Sequence, residues 1–186
     1  GVAEEIAGPY VWHSQGQGDM GSNPAMVKFQ DPENNNVTTY SLWSGQSNQF
    51  QLYTTTDLHQ PFVKVDGSQG PVGGFSNAAP MYHNGQWYAT DQGTRKIRTT
   101  TKLGEPWTLY SEINCTYEGA YQEDPYLWVD KRGNWHIINH AYNTSQIDHC
   151  GESTLSAHLF SSDQGKGWHM LMYPQVEPYS HTVSYE

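Results

Sequence analysis

Gly133-Asn134-Trp135-His136-Ile137-Ile138-Asn139-His140, then Ala157-His158-Leu159-Phe160-Ser161-Ser162-Asp163, then Gly167-Trp168, is the stretch on which the fold of this chain turns. A polar turn ending in Gly opens a run of β-type residues bounded by turn residues, which reads as a strand. A second such run ends in hydroxyl residues and Asp, which favour a turn because their side chains bond the backbone nearby. A Trp closes the unit. Ahead of it stands another β-type run, Glu123-Asp124-Pro125-Tyr126-Leu127-Trp128.

The same order of signals occurs twice more. In the middle of the chain it reads Ala79-Pro80-Met81-Tyr82, Gly85-Gln86-Trp87-Tyr88-Ala89-Thr90, Lys96-Ile97-Arg98-Thr99-Thr100-Thr101-Lys102-Leu103 and Pro106-Trp107. Nearer the start it reads Asn23-Pro24-Ala25-Met26-Val27, Thr39-Tyr40-Ser41-Leu42-Trp43-Ser44, Phe50-Gln51-Leu52-Tyr53-Thr54-Thr55-Thr56-Asp57-Leu58 and Pro61-Phe62. Four short strands per unit of about 40–50 residues is the plan of a β-propeller blade. Phe62, Trp107 and Trp168 are then expected to wedge between neighbouring blades. A β-sandwich with look-alike hairpins is the competing architecture, and it does not account for the shared order.

The expected fold class is therefore all-β, a β-propeller, with blades near 22–67, 76–112 and 122–180. Closed propellers have four to eight blades. Three blades plus flanking strands read as part of a longer propeller. His181-Thr182-Val183-Ser184-Tyr185-Glu186 looks like the first strand of a further blade, and Pro9-Tyr10-Val11-Trp12 like a strand of a preceding one.

Composition agrees with this architecture and removes several functions. Charged residues make up 15% of the chain, against about 25% in average soluble proteins, and aromatics reach 13%. That excludes both a helical bundle and a disordered chain. The net charge of −10 leaves no electrostatic footprint for nucleic acid. The one basic cluster, Arg95, Lys96 and Arg98, falls inside a predicted strand. No apolar run approaches the roughly 18 residues of a membrane span, so membrane insertion is not expected.

Gly1 in place of Met, without a visible leader, reads as a mature or excised segment. Cys115 and Cys150 are too far apart for a zinc pattern. They are candidates for one disulfide in an oxidising compartment, with two separate buried thiols as the alternative. Sequons begin at Asn36, Asn114 and Asn143, all in predicted loops where a glycan is tolerated. A secreted, extracellular location follows as the expectation.

At the third repeat the chain resembles secreted five-bladed propellers related to glycoside hydrolases, of the arabinanase and xylosidase type. The stretch from Glu123 to His136 carries the pattern EDPxxWxDxRGxxH, and Ala157 to Trp168 is similar to the strand that follows it. Thr54-Thr55-Thr56-Asp57-Leu58 resembles a strand end common in those propellers. The resemblance implies carboxylates on the innermost strands, pointing into a central funnel, and a carbohydrate partner. It is specific for the propeller and less so for activity.

Only the third repeat carries carboxylates at the matching place, Glu123 and Asp124. The first offers Ser22-Asn23-Pro24 and the second Asn77-Ala78-Ala79-Pro80. Glycoside hydrolysis ordinarily needs two carboxyl groups flanking the scissile bond. Neighbours on a regular strand face opposite ways, so one of the pair is expected in the funnel and the other capping a turn or pairing with Arg132. Asp19 or a further blade would supply the second catalytic carboxylate.

Sugar faces stack on aromatic rings, which makes Trp128, Tyr126, Trp12 and Trp43 candidate contacts, with His140 and His158 as polar ones. His136 and His140, at i and i+4 on one strand, are about 13 Å apart, too far to share an ion. No cofactor is expected, unless a central ion sits near His140 or His158. The sequence thus points to a glycan-active or glycan-binding propeller, with a non-catalytic, lectin-like or structural propeller as the alternative.

Overall fold

A computed structural model describes residues 24–44, 51–65, 77–90, 92, 95–115, 120–143 and 155–171. The described residues form three four-stranded antiparallel sheets, each built from consecutive strands in spatial order. The first contains β1 (Ala25–Asp31), β2 (Val37–Ser44), β3 (Gln51–Thr55) and β4 (Val63–Lys64). The second contains β5 (Ala79–His83), β6 (Gln86–Thr90), β7 (Lys96–Thr100) and β8 (Thr108–Glu112). The third contains β9 (Ala120–Val129), β10 (Trp135–Asn143), β11 (Leu155–Ser161) and β12 (His169–Leu171). The opening strands β1, β5 and β9 lie side by side, β5 touching both of the others.

Local chemistry sets the turns. β5 and β6 are joined by Asn84 and Gly85, both at positive φ (50° and 78°), the two-residue turn whose twist matches a hairpin. β1 runs into a short 3-10 turn, Pro32–Asn34, where the Asp31 side chain accepts from the Glu33 N–H. A shared device ends the third strand of every sheet. The hydroxyls of Thr55, Thr100 and Ser161 accept from the N–H two residues on, at Asp57, Lys102 and Asp163. This is why each repeat carries Ser or Thr there.

Alternation then sends two faces of the second sheet into two cores. Trp87 and Ala89 of β6, with Trp107, meet Phe29, Trp43 and Leu52 of the first sheet. From the opposite face, Met81, Tyr88 and Ile97 meet Leu127, Trp135, Ile137 and Leu159 of the third. Trp107 stands edge-on to Trp43 at 5.5 Å, and Trp168 is buried in the second core. The closing aromatics of the second and third repeats are thus interface wedges, as their position in the repeat predicts. Burying such rings contributes more per residue than any other side chain type.

Two expectations need correction. Trp43 is 1% exposed, packed on Trp87 and Trp107 with its Nε1–H on Ser41 Oγ; it is core and no sugar platform. Asn143 is the last residue of β10, opposite Ala120, rather than a loop residue.

Candidate functional site

The site begins with a break in β9. Glu123 pairs with His140 and Tyr126 with Ile138, so Asp124 and Pro125 together face Asn139 alone. Two residues against one is a β-bulge, and Pro125, which has no N–H to donate, is tolerated at such a place. Asp124 takes φ 47°, a left-handed conformation that Asp enters more readily than most residues.

The bulge abolishes the alternation that would have separated the two carboxylates. Asn77 Nδ2 donates to Asp124 Oδ1 at 2.7 Å and to Gln92 Oε1 at 2.8 Å. Gln92 Nε2 in turn donates to Glu123 Oε1 at 2.9 Å. Glu123 and Asp124 therefore end on one amide network supplied by the second sheet, although only Asp124 of the two lines the cavity that opens in front of it. His140 Nδ1 lies 3.7 Å from Asp124 Oδ2. Arg132 sits in the turn at the far end of β9, where its N–H serves Asp130, and not beside the pair.

In front of Asp124 opens a cavity of about 430 Å³, within the size range of small-molecule sites. Pro24, Ala25 and Met26 line it from the first sheet, Asn77, Ala78, Ala79 and Pro80 from the second, and Asp124, Pro125 and Tyr126 from the third. The starts of β1 and β5 and the bulge in the middle of β9 converge there. Among the described residues, Asp124 is the one carboxylic acid on its wall. Tyr126 is 68% exposed at the rim.

The other candidates fall elsewhere. Trp128 stacks on His136 (4.9 Å, 11°) and His158 (5.9 Å, 16°) on the face of the third sheet turned away from the second. His136 Nδ1 and His158 Nε2 share a hydrogen bond of 2.9 Å, so one ring donates and the other accepts. Behind them Asp130 accepts from Asn134 and from the N–H of Arg132 and Asn134. The Asn134 amide and these backbone donors hold its carboxyl well below the usual carboxylate range, with His136 Nε2 3.3 Å away adding to the effect. Among the described residues, no group of three or more His, Cys, Asp or Glu is placed to hold a metal ion.

Asp19, Trp12 and Cys150 lie outside the described residues. Cys115 is a half-buried thiol whose pKa burial pushes up. Asn36 and Asn114 are exposed. Sequence reasoning passed over Asn77 and Gln92. Asn77 could have been found, since it precedes Pro80 in the repeat much as the acids precede Pro125; nothing local marks Gln92.

The three sheets, with the cavity between the starts of β1 and β5 and the bulge of β9, define a β-propeller segment with an acid-bearing pocket. Solved structures with the same architecture include the endo-arabinase of Bacteroides thetaiotaomicron VPI-5482, with a TM-score of 0.56 and 15% identity over 83% of this chain and 56% of that one. The Bacteroides ovatus xyloglucan PUL protein GH43B matches with a TM-score of 0.50 and 12% identity, over 74% of this chain and 27% of that one. The chain spans little more than half of the endo-arabinase chain, and at these identities the likeness is one of fold. No protein-family model matches the sequence, and no curated protein does.

Proposed function

We propose that the chain is a segment of a glycan-active propeller whose saccharide sits in the cavity between the starts of β1 and β5 and the bulge of β9. Asp124 is the carboxylate that meets the sugar, Tyr126 offers a ring face at the rim, and His140 is a polar contact beside the acid. The observation that carries this reading is the bulge, which turns Asp124 onto Asn77 and leaves its second oxygen toward His140 at the pocket wall. A carboxylate held by an amide on one oxygen and presented on the other is suited to a sugar hydroxyl or to acid–base work on a glycosidic oxygen.

Hydrolysis needs a second carboxyl across the scissile bond. Glu123 accepts from Gln92, so in this reading Asp19 or a further blade supplies it. That same bond favours a second reading, a non-catalytic binder in which Glu123 is a structural acid. Arabinan, xylan and xyloglucan oligosaccharides should be tested for turnover and, by calorimetry, for binding. Asp124→Asn is expected to lower turnover by roughly 10²–10⁴ while the fold persists. Binding without turnover, unchanged in Asp124→Asn, would establish the binder instead. A wild-type chain that neither binds nor cleaves any of them refutes both.

A further inference from the structure

Behind the bulge, between the second and third sheets, lies a second and much smaller cavity of about 10 Å³, lined by Thr90, Arg95, Ile113, Pro125, Ile137, Asn139 and Leu159. Asn139, the single residue opposite Asp124 and Pro125, is 4% exposed. Its Oδ1 is buried and meets no protein donor among the described residues. Buried amide oxygens are nearly always satisfied by protein or by ordered water.

We propose that this cavity is a one-water site and that Asn139, through that water, is a positioning residue for Asp124. The volume is at the lower edge of what one water needs, roughly 10–15 Å³. The occupant must donate to Asn139 Oδ1, which excludes an anion. Oxygen-seeking cations take about six or more oxygen ligands, whereas among the described residues this wall has two oxygen-bearing side chains, Thr90 and Asn139, and a guanidinium, Arg95. Water fits all three demands: it donates to Asn139 and keeps further bonds for Thr90 or Arg95. Pro125 forms part of the same wall, so the water ties the back of the bulge to the second sheet. The front of the bulge is tied to that sheet by Asn77. The water site stands on the cavity and the buried amide alone; its value for a ligand rests on the funnel reading proposed above.

A crystal structure of the 186-residue chain that resolves ordered waters should show one peak within about 2.6–3.2 Å of Asn139 Oδ1, and water-to-protein NOEs should reach the Asn139 side-chain amide. Asn139→Leu, a similar volume without the acceptor, should lose the peak and lengthen the 2.7 Å contact between Asn77 and Asp124. No peak and no NOE in the wild type, or an Arg95 guanidinium donating directly to Oδ1, overturns the water site even if the variant does not fold. An Asn139→Leu structure that keeps both the bulge and the Asn77 contact overturns the positioning role. Failure of oligosaccharides to bind the wild type overturns the funnel reading and leaves the water site as it stands.

Discussion

Gly165→Ala tests how tightly the second and third sheets are wedged. Gly165, in the turn between β11 and β12, has φ +78°, and a Cβ there would lie 2.6 Å from Trp135 Cε3 and 3.0 Å from Cδ2 and Cζ3. Trp135 has little room to retreat: it is 2% exposed, stacked on Tyr110 at 5.8 Å and edge-on to Tyr88 at 4.7 Å. The glycine backbone is held as well, its N–H on Ser161 Oγ and its carbonyl accepting from Trp168 Nε1 and Ser111 Oγ. Two costs add. A left-handed L-residue costs about 1–2 kcal/mol, and overpacking a filled core about 1–3 kcal/mol. The sum is about 2–5 kcal/mol. Gly85 and Gly133 have the same backbone sign, φ +78° and +87°, but nothing within 4 Å of a Cβ, so Gly85→Ala and Gly133→Ala incur the first cost alone. Urea unfolding of the three variants, compared at a common m-value, separates backbone from packing. If Gly165→Ala falls within about 0.5 kcal/mol of Gly133→Ala, Trp135 moves freely and the wedged interface is wrong.

Three further outcomes follow from the same geometry. Asp130→Asn should flatten the acid limb of the stability curve. The native carboxyl lies below its ordinary value, so the stabilisation it gives is present above about pH 4 and is lost as pH falls toward the native pKa; parallel Tm-versus-pH curves for wild type and variant would contradict this. Trp43→Ala should cost about 3–5 kcal/mol as a buried aromatic truncation, read by denaturant melts, whereas a small effect would mean that Trp43 is not core. Tyr126→Ala, at an exposed site, should leave Tm in place and weaken oligosaccharide binding by roughly tenfold, about 1.4 kcal/mol; unchanged affinity by calorimetry removes Tyr126 from the site.

Particular residues show where the sequence was legible. Thr55, Thr100 and Ser161 bond the backbone two residues away, and Asn84-Gly85 turns a hairpin within four residues. Signals of that range survive in a linear string, which is why the strands and the closing Trp107 and Trp168 were readable. Trp43 and Trp128 look alike in sequence, each an aromatic within a β-type run. One is sealed by a neighbouring sheet and the other stacks on histidines of its own, a difference that depends on what packs across the interface.

The candidate site draws on both ranges. The local pattern Glu123-Asp124-Pro125 marks where an acid reaches the cavity wall. Its company, Asn77 at 47 residues' separation from Asp124 and Gln92 at 31 from Glu123, comes from the adjacent sheet. The chain alone determined a repeated four-stranded, all-β architecture, because period-two alternation and turn chemistry act between near neighbours. Only the tertiary structure decided that Glu123 and Asp124 share one network, because a single unpaired residue at a bulge reverses which way a strand's side chains face, and no periodicity records where that residue falls.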